Sequence, residues 1–193
     1  MAITKVANIV TITDFVGEYK LDALIPQTNR LAIFNDFITD KQYYLLVDML
    51  GVELYNDFAT NPTATKWLNF IEGEQGYDDC CGCVRNWLGL VDLMLPFIHS
   101  LWIEFNEFKQ NIEGTVNQDG DVVNTASGGS MRVYRKASEY ELKTIAYKRW
   151  NEFIHRYNEA YIYLYSKDTD FENISDYFIK KEYKSLINKD TIR

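Results

Sequence analysis

Eight apolar side chains recur at alternating steps of four and three along one stretch: Trp87, Val91, Met94, Ile98, Leu101, Phe105, Phe108 and Ile112. An α-helix brings such positions onto one face, so the spacing predicts a helix over 84–112. Pro96 lies inside it. A mid-helix proline costs about 3 kcal/mol and kinks the helix, so a bent helix or two in series are expected. A second stripe runs through Leu142, Ile145, Ala146, Trp150, Phe153, Tyr157, Tyr161 and Leu164. It follows Ser138-Glu139-Tyr140-Glu141, which has the form of a capping box. Two helices of this length dominate a chain of 193 residues. The expected fold is mainly α, a helical bundle with two long helices.

The first half continues the pattern. From Thr28, the positions Leu31, Phe34, Phe37 and Ile38 share a helix face. Thr39 followed by Asp40 reads as a fresh helix start, with Tyr43, Leu46, Val47 and Leu50 inward and Gly51 as its C-terminal stop. A short helix is predicted over 52–58, with Leu54, Tyr55 and Phe58 inward, and one further turn over 66–71 around Trp67 and Phe70. The glycine-bearing stretch 72–82 reads as a loop. After the long helix, Asp119-Gly120 between β-prone residues predicts a small β-hairpin insertion at 115–124, and Ser127-Gly128-Gly129-Ser130 reads as a link. Residues 1–27 are then an N-terminal arm, 28–170 the helical domain and 171–193 a C-terminal tail.

Charge and motif content narrow the function. The chain holds 20 Lys+Arg against 28 Asp+Glu, which argues against gripping nucleic acid by electrostatics. The acid is concentrated early: residues 1–79 carry 12 acidic and 5 basic residues, whereas 131–166 carry 4 and 7. That later basic stripe (Arg132, Arg135, Lys136, Lys143, Lys148, Arg149 and Arg156) is expected to be a solvated face that complements the acidic half, within the chain or across a subunit contact. No secretory leader or membrane span is expected. The apolar stretch 86–103 is interrupted by Asp92, Pro96 and His99.

Cys80, Cys81 and Cys83 fit no disulfide framework and read as a reduced loop in a cytosolic product. Zinc would need two more ligands besides the Cys80 and Cys83 pair, and His99 and His155 are the only histidines. Those histidines lack a suitably spaced nucleophile, and Glu152 with His155 makes only one of the two motifs a di-iron bundle needs. No enzyme, cofactor or metal is therefore expected.

The aromatic content, 15%, is harder to absorb. Tyr161, Tyr163 and Tyr165 alternate along one helix and so point apart. Together with Tyr177 and Tyr183 they are candidate subunit contacts, because tyrosine suits interfaces. The hairpin residues Val116, Asp119, Gly120 and Val122 join them as candidates.

The segment from Tyr43 to Phe58, with Leu50-Gly51 between two helical runs, is similar to a segment of tailed-phage structural proteins. So are Leu95-Pro96-Phe97-Ile98 in a long aromatic helix, the small hairpin after it, the serine-bearing linker, and a last helix with Trp150-Asn151. Over roughly residues 31–170 the chain resembles head–tail connector (adaptor) proteins of tailed bacteriophages, in particular those of crAss-like phages. The Cys80–Cys83 loop and the C-terminal tail depart from that pattern. The resemblance implies a virion structural protein in the neck, made in the host cytoplasm. It implies a homo-oligomeric ring, commonly of twelve copies, that meets the portal and other neck or tail proteins and passes DNA without binding it specifically. The alternative is a cytosolic helical protein-binding or regulatory module.

Overall fold

The structure, a computed structural model, describes residues 7–21, 28–113, 121–124, 130–133, 139–167, 171 and 182–186. Among them are four α-helices: α1 (Thr28–Thr60), α2 (Thr65–Glu72), α3 (Leu90–Glu113) and α4 (Glu139–Ser166). Two antiparallel hairpins complete the order, β1 (Glu74–Asp78) with β2 (Val84–Trp87) and β3 (Asp121–Asn124) with β4 (Ser130–Val133). The mainly helical fold expected from the stripes is the one observed, and α3 packs chiefly along α4.

Helix α1 runs straight through Thr39, where a new start is expected. The Thr39 hydroxyl donates 2.9 Å to the Asn35 carbonyl one turn back and accepts from the Asn8 side chain at 2.9 Å. The buried series Phe34, Ile38, Leu45 and Met49 continues across it, so burial of that face overrides the local capping signal. The break comes at Gly51, whose φ of 71° lies outside helical geometry. Leu54, Tyr55 and Phe58 beyond it are buried, as their spacing predicts.

The stretch 72–87 differs from expectation. It forms the β1–β2 hairpin, with Glu74 opposite Trp87 and Asp78 opposite Val84, and an irregularity between Gln75 and Tyr77. The Gly76 amide at that irregularity donates to the Asn86 side chain. Trp87, the first member of the helical stripe, therefore lies on a strand, and α3 begins three residues later. Glycine explains why the chain can turn in and out here. Gly73 (φ 100°) and Gly89 (φ 97°) face each other's backbone at the hairpin base. A Cβ on Gly73 would stand 2.6 Å from the Trp87 carbonyl oxygen, and one on Gly89 2.6 Å from that of Ile71. Helix α3 continues as one element through Pro96.

The second hairpin is also displaced from its expected place at 115–124. Asp121 pairs with Val133 and Asn124 with Ser130, so the stretch read as a link supplies the second strand's start. This register pairs Val122 and Val123 with Arg132 and Met131. Val116, Asp119, Gly120 and Tyr177 lie outside the described residues.

One aromatic-rich core joins the N-terminal segment, the four α-helices and the first hairpin. Phe70 of α2, Trp87 of β2 and Tyr163 of α4 stack nearly parallel, with centroids 5.7–6.2 Å apart. The Trp87 indole N–H donates 2.8 Å to the Phe70 carbonyl, so the ring is buried without an orphaned donor. The N-terminal segment is no loose arm over 7–21. Val10 and Phe15 are buried, and the Ile9 and Val10 amides both donate to the Gln42 side-chain oxygen at 2.9 and 3.0 Å. Late residues also return to the core. Phe171 is buried, Tyr183 packs on Phe153 and Tyr157, and Asn151 exchanges two hydrogen bonds with the Leu186 backbone.

The two glycines at the hairpin base generate a prediction. Gly89→Ala is expected to cost about 3 kcal/mol in urea unfolding, since it adds a backbone clash to a positive φ. Gly76→Ala, also at positive φ but facing open space, is expected to cost about 1 kcal/mol.

Candidate functional site

The densest polar cluster in the described residues sits where the N-terminal segment crosses α4. Arg149 is the centre. Its apolar neighbours on the stripe, Ala146 and Phe153, stand three and four residues away, so helical periodicity turns it inward with them. Only 5% of its side chain is exposed. One guanidinium nitrogen donates 2.8 Å to Glu152 Oε2. Another donates to the Glu18 carboxylate at 2.8 Å and the Glu18 carbonyl at 3.0 Å. The guanidinium carbon lies 4.4 Å from the centroid of the Tyr19 ring, and the Tyr19 hydroxyl donates 2.6 Å to Glu152 Oε1. A turn of 3₁₀ helix over Gly17–Tyr19 presents Glu18 and Tyr19 together.

Electrostatics follow from this closure. Burial disfavours the Arg149 charge, but the hydrogen bonds it donates to Glu152 and Glu18 outweigh it and hold the guanidinium protonated. Burial likewise opposes ionisation of Glu152, and the bonds from Tyr19 and Arg149 overcome it and push that carboxyl down. Burial and the Glu152 carboxylate push the Tyr19 phenol up, so it remains a donor. His99 of α3 closes the cluster, its ring edge-on to Tyr19 at 5.7 Å. Burial, with Arg149 adding to it, pushes the imidazole down to about 4, against the weaker pull of Glu152 and Glu18. It is therefore neutral at pH 7, and its Nδ1 has no hydrogen-bond partner among the described residues.

A second line of charge continues along α4. Arg156 Nε approaches Asp92 Oδ2 at 2.9 Å, a charge contact whose angle falls outside hydrogen-bond geometry. Arg156 also meets Glu159 at 3.1 Å. Farther on, Lys167 Nζ and the Tyr163 hydroxyl both donate to Glu74, at 2.7 and 2.8 Å. Arg149, Arg156 and, just past the helix, Lys167 thus each meet an acid of the first half of this same chain: Glu18, Asp92 and Glu74.

Among the described residues, neither Ser100 nor His155 enters a hydrolytic constellation. The Ser100 hydroxyl donates 2.8 Å to the Phe97 carbonyl, and His155 is exposed with Nε2 3.3 Å from Glu159. Glu152 and His155 therefore serve different partners. No group of three or more His, Cys, Asp or Glu side chains converges on a metal-sized centre among the described residues. His99 faces Tyr19 and Arg149, so it does not complete a site with Cys80 and Cys83.

Of the candidate contact tyrosines, Tyr163 is corrected. It is buried in the chain's own aromatic stack and so is not presented to a neighbour. Tyr165 is 42% exposed and stacks on the half-buried Tyr161 at 5.7 Å. Tyr183 is half-buried against Trp150, Phe153 and Tyr157. Val122 lies on β3. Sequence reasoning missed Glu18 and Tyr19 and placed Arg149 on a solvated face. The signal for Arg149 was its register with Ala146 and Phe153; nothing local marks its partners 131 residues away.

Arg149→Met is expected to lower the urea midpoint by the equivalent of about 2–3 kcal/mol and to expose residues 7–21 to limited proteolysis. Arg149→Lys is expected to recover less than half of that, because a lysine cannot reach both carboxylates from one planar group. His99 gives a pH signature. Its folded pKa lies below its unfolded value of about 6.5, so between about pH 6.5 and 4 the unfolded chain binds the extra proton and stability falls as pH drops. From pH 7 to 5 that contribution is ~2 kcal/mol. Comparison of urea midpoints for the wild type and His99→Gln at both pH values checks it: the variant should lack that part of the loss.

Compared with protein-family models, with curated proteins and with solved structures, the chain finds no match.

Proposed function

We propose that this chain is a non-enzymatic virion structural protein of a tailed bacteriophage, one subunit of a ring in the head–tail connector between portal and tail. The reading starts from the sequence resemblance to connector proteins. The observation that carries it further is how charge is allocated. Arg149, Arg156 and Lys167 meet acids of their own chain, and the outer face of α1 carries Asp36, Asp40, Tyr44 and Asp48 at steps of four, all four solvent-exposed. An acidic helix face of this kind repels phosphate, which suits a wall along which DNA must slide. The ring reading takes support from the exposed tyrosines, Tyr44 and Tyr165, which offer amphipathic area to a neighbouring copy or to the portal. No helix among the described residues is long and apolar enough to cross a membrane.

The decisive test is a density map of the intact particle. The expected result is a ring of this chain, twelve copies by the resemblance, on the axis between portal and tail. Particles that lack the chain, with no affinity of the purified protein for portal, neck or tail proteins, would overturn the proposal in favour of a cytosolic helical binding module. A targeted variant sharpens it. Tyr161→Ala with Tyr165→Ala is expected to cut incorporation into particles at least tenfold while shifting the urea midpoint by less than the equivalent of about 1 kcal/mol.

A further inference from the structure

The N-terminal segment is fastened to the helical body at two places of different chemistry, whatever the chain's role in a particle. The first lies at residues 8–10. The Ile9 and Val10 amides donate to the buried Gln42 Oε1, Gln42 Nε2 donates 2.6 Å to Asn8 Oδ1, and Asn8 Nδ2 donates to Thr39. No titratable group takes part in these bonds. Phe15 extends this fastening, its ring edge-on to Phe34 of α1 at 4.8 Å. The second fastening is the engagement of Glu18 and Tyr19 with Arg149 and Glu152, and it lies against His99. Between the two the chain has room to bend. Val16 is 65% exposed, and Gly17 has φ 58° with nothing within 4 Å of where a Cβ would stand.

His99 makes the second fastening sensitive to acid. The residue is 3% exposed, and its Nδ1 has no hydrogen-bond partner among the described residues. The charged groups that act on it are Arg149 and Glu152 of α4 and Glu18 of the N-terminal segment, while Lys148, exposed on α4, stands 3.9 Å from Glu18. Arg149 already engages both carboxylates. A proton added to the buried imidazole therefore places a second cation beside the guanidinium, stripped of water and with its new N–H unpaired. Moving Tyr19 and Glu18 away returns water to the ring and with it the ordinary affinity for a proton. Burial opposes ionisation of Glu152, but its bonds with Tyr19 and Arg149 overcome this and hold its carboxyl below the usual range. It stays charged while His99 titrates.

We propose that residues 17–21 form an acid-released latch, in which a proton taken up by His99 is accommodated by swinging Glu18 and Tyr19 outward about Val16–Gly17 while residues 8–15 stay docked on α1. The proton comes from solvent, and only hydrogen bonds are exchanged: Arg149 gives up Glu18 and keeps Glu152. Acid thus opens one end of one segment before it loosens the helices. Burial, with Arg149 adding to it, holds the imidazole at about 4 in the closed chain, against about 6.5 once it meets water. The closed latch is therefore fully favoured above about pH 6.5, and that preference is lost as pH falls toward 4. From pH 7 to 5 the ratio of open to closed rises about twentyfold.

The test is backbone hydrogen exchange of the full chain, followed residue by residue at pH 7 and pH 5 and corrected for the intrinsic rate at each. The reporters are the Tyr19 and Lys20 amides, which donate to the Val16 and Gly17 carbonyls. Their protection should fall about twentyfold between the two pH values. At pH 5 the Val10 amide and the amides of α4 should each remain at least tenfold better protected than they are. In His99→Gln, whose side chain stays neutral, the fall should be less than threefold. The wild type supplies a second readout that needs no variant: the His99 imidazole signal in NMR should remain that of the neutral ring down to pH 5. Tyr19 and Lys20 amides whose protection is unchanged between the two pH values, or equals that of α4, would overturn the proposal. So would a twentyfold fall that persists in His99→Gln, or a His99 that titrates near 6.5 in the closed chain.

Discussion

The position of Tyr163 decides how the rest of the chain is assembled. Its ring stacks with Phe70 and Trp87, and its hydroxyl donates to Glu74. One side chain of α4 thus fixes α2, both strands of the first hairpin and, through the shared Glu74 carboxylate, Lys167 at its own helix end. Burial of a tyrosine is favourable here because both of its needs are met at once: apolar faces for the ring and an ionised acceptor for the hydroxyl. The two glycines at the hairpin base make this possible. Without them Trp87 could not approach Phe70 closely enough to stack and to donate its indole N–H to the Phe70 backbone.

The charge pattern follows the same logic of internal closure. A basic helix in an acidic chain invites a nucleic acid or a neighbouring subunit as partner. Instead, Arg149 lies under the N-terminal segment, Arg156 lies against α3, and Lys167 meets the hairpin. A buried guanidinium costs several kcal/mol of lost hydration, so it persists only where its donors are met. Here two carboxylates and one carbonyl take donors of both terminal nitrogens and an aromatic face covers the plane, while Nε has no hydrogen-bond partner among the described residues. The consequence reaches the surface. Arg149 is buried, and Arg156 and Lys167 keep only about a quarter of their side chains exposed, so these three cations are largely withdrawn from an approaching polyanion.

Periodicity revealed what depends on one helix face, and no more. The α3 and α4 stripes were legible because burial repeats every turn, and the inward Leu54, Tyr55 and Phe58 were legible for the same reason. What was not legible depended on partners distant in sequence. Thr39 looks like a cap until the burial of Phe34, Ile38 and Met49 is known to run past it. Trp87 looks like the start of a helix because it keeps step with Val91. Its strand becomes visible only when Glu74 pairs with it. For the second hairpin Asp119-Gly120 reads as the turn and 127–130 as a link, whereas its second strand begins at Ser130, in a pairing with Asn124 that no local signal marks. Of the polar cluster, Arg149 could be found by its register, but Glu18 and Tyr19 carry no periodic signal at all.

The tyrosine surplus shows why composition alone overstates an interface. Alternation along a helix requires that Tyr161, Tyr163 and Tyr165 point apart, and they do. That rule does not say which of them faces inward. A second aromatic layer, from α2 and the first hairpin, receives Tyr163 and leaves Tyr165 outside with Tyr161 stacked on it. Tyr55, Tyr77 and Tyr157 are likewise buried in the chain's own core. The aromatic excess therefore divides differently from what a single two-helix core would dictate, because the hairpin gives the bundle a second packing surface. Among the described residues the exposed tyrosines are Tyr44 on the acidic face of α1 and Tyr165 on α4. A surface that combines amphipathic rings with like charge favours contact with protein over contact with DNA, since the rings contribute contact area while the carboxylates exclude phosphate.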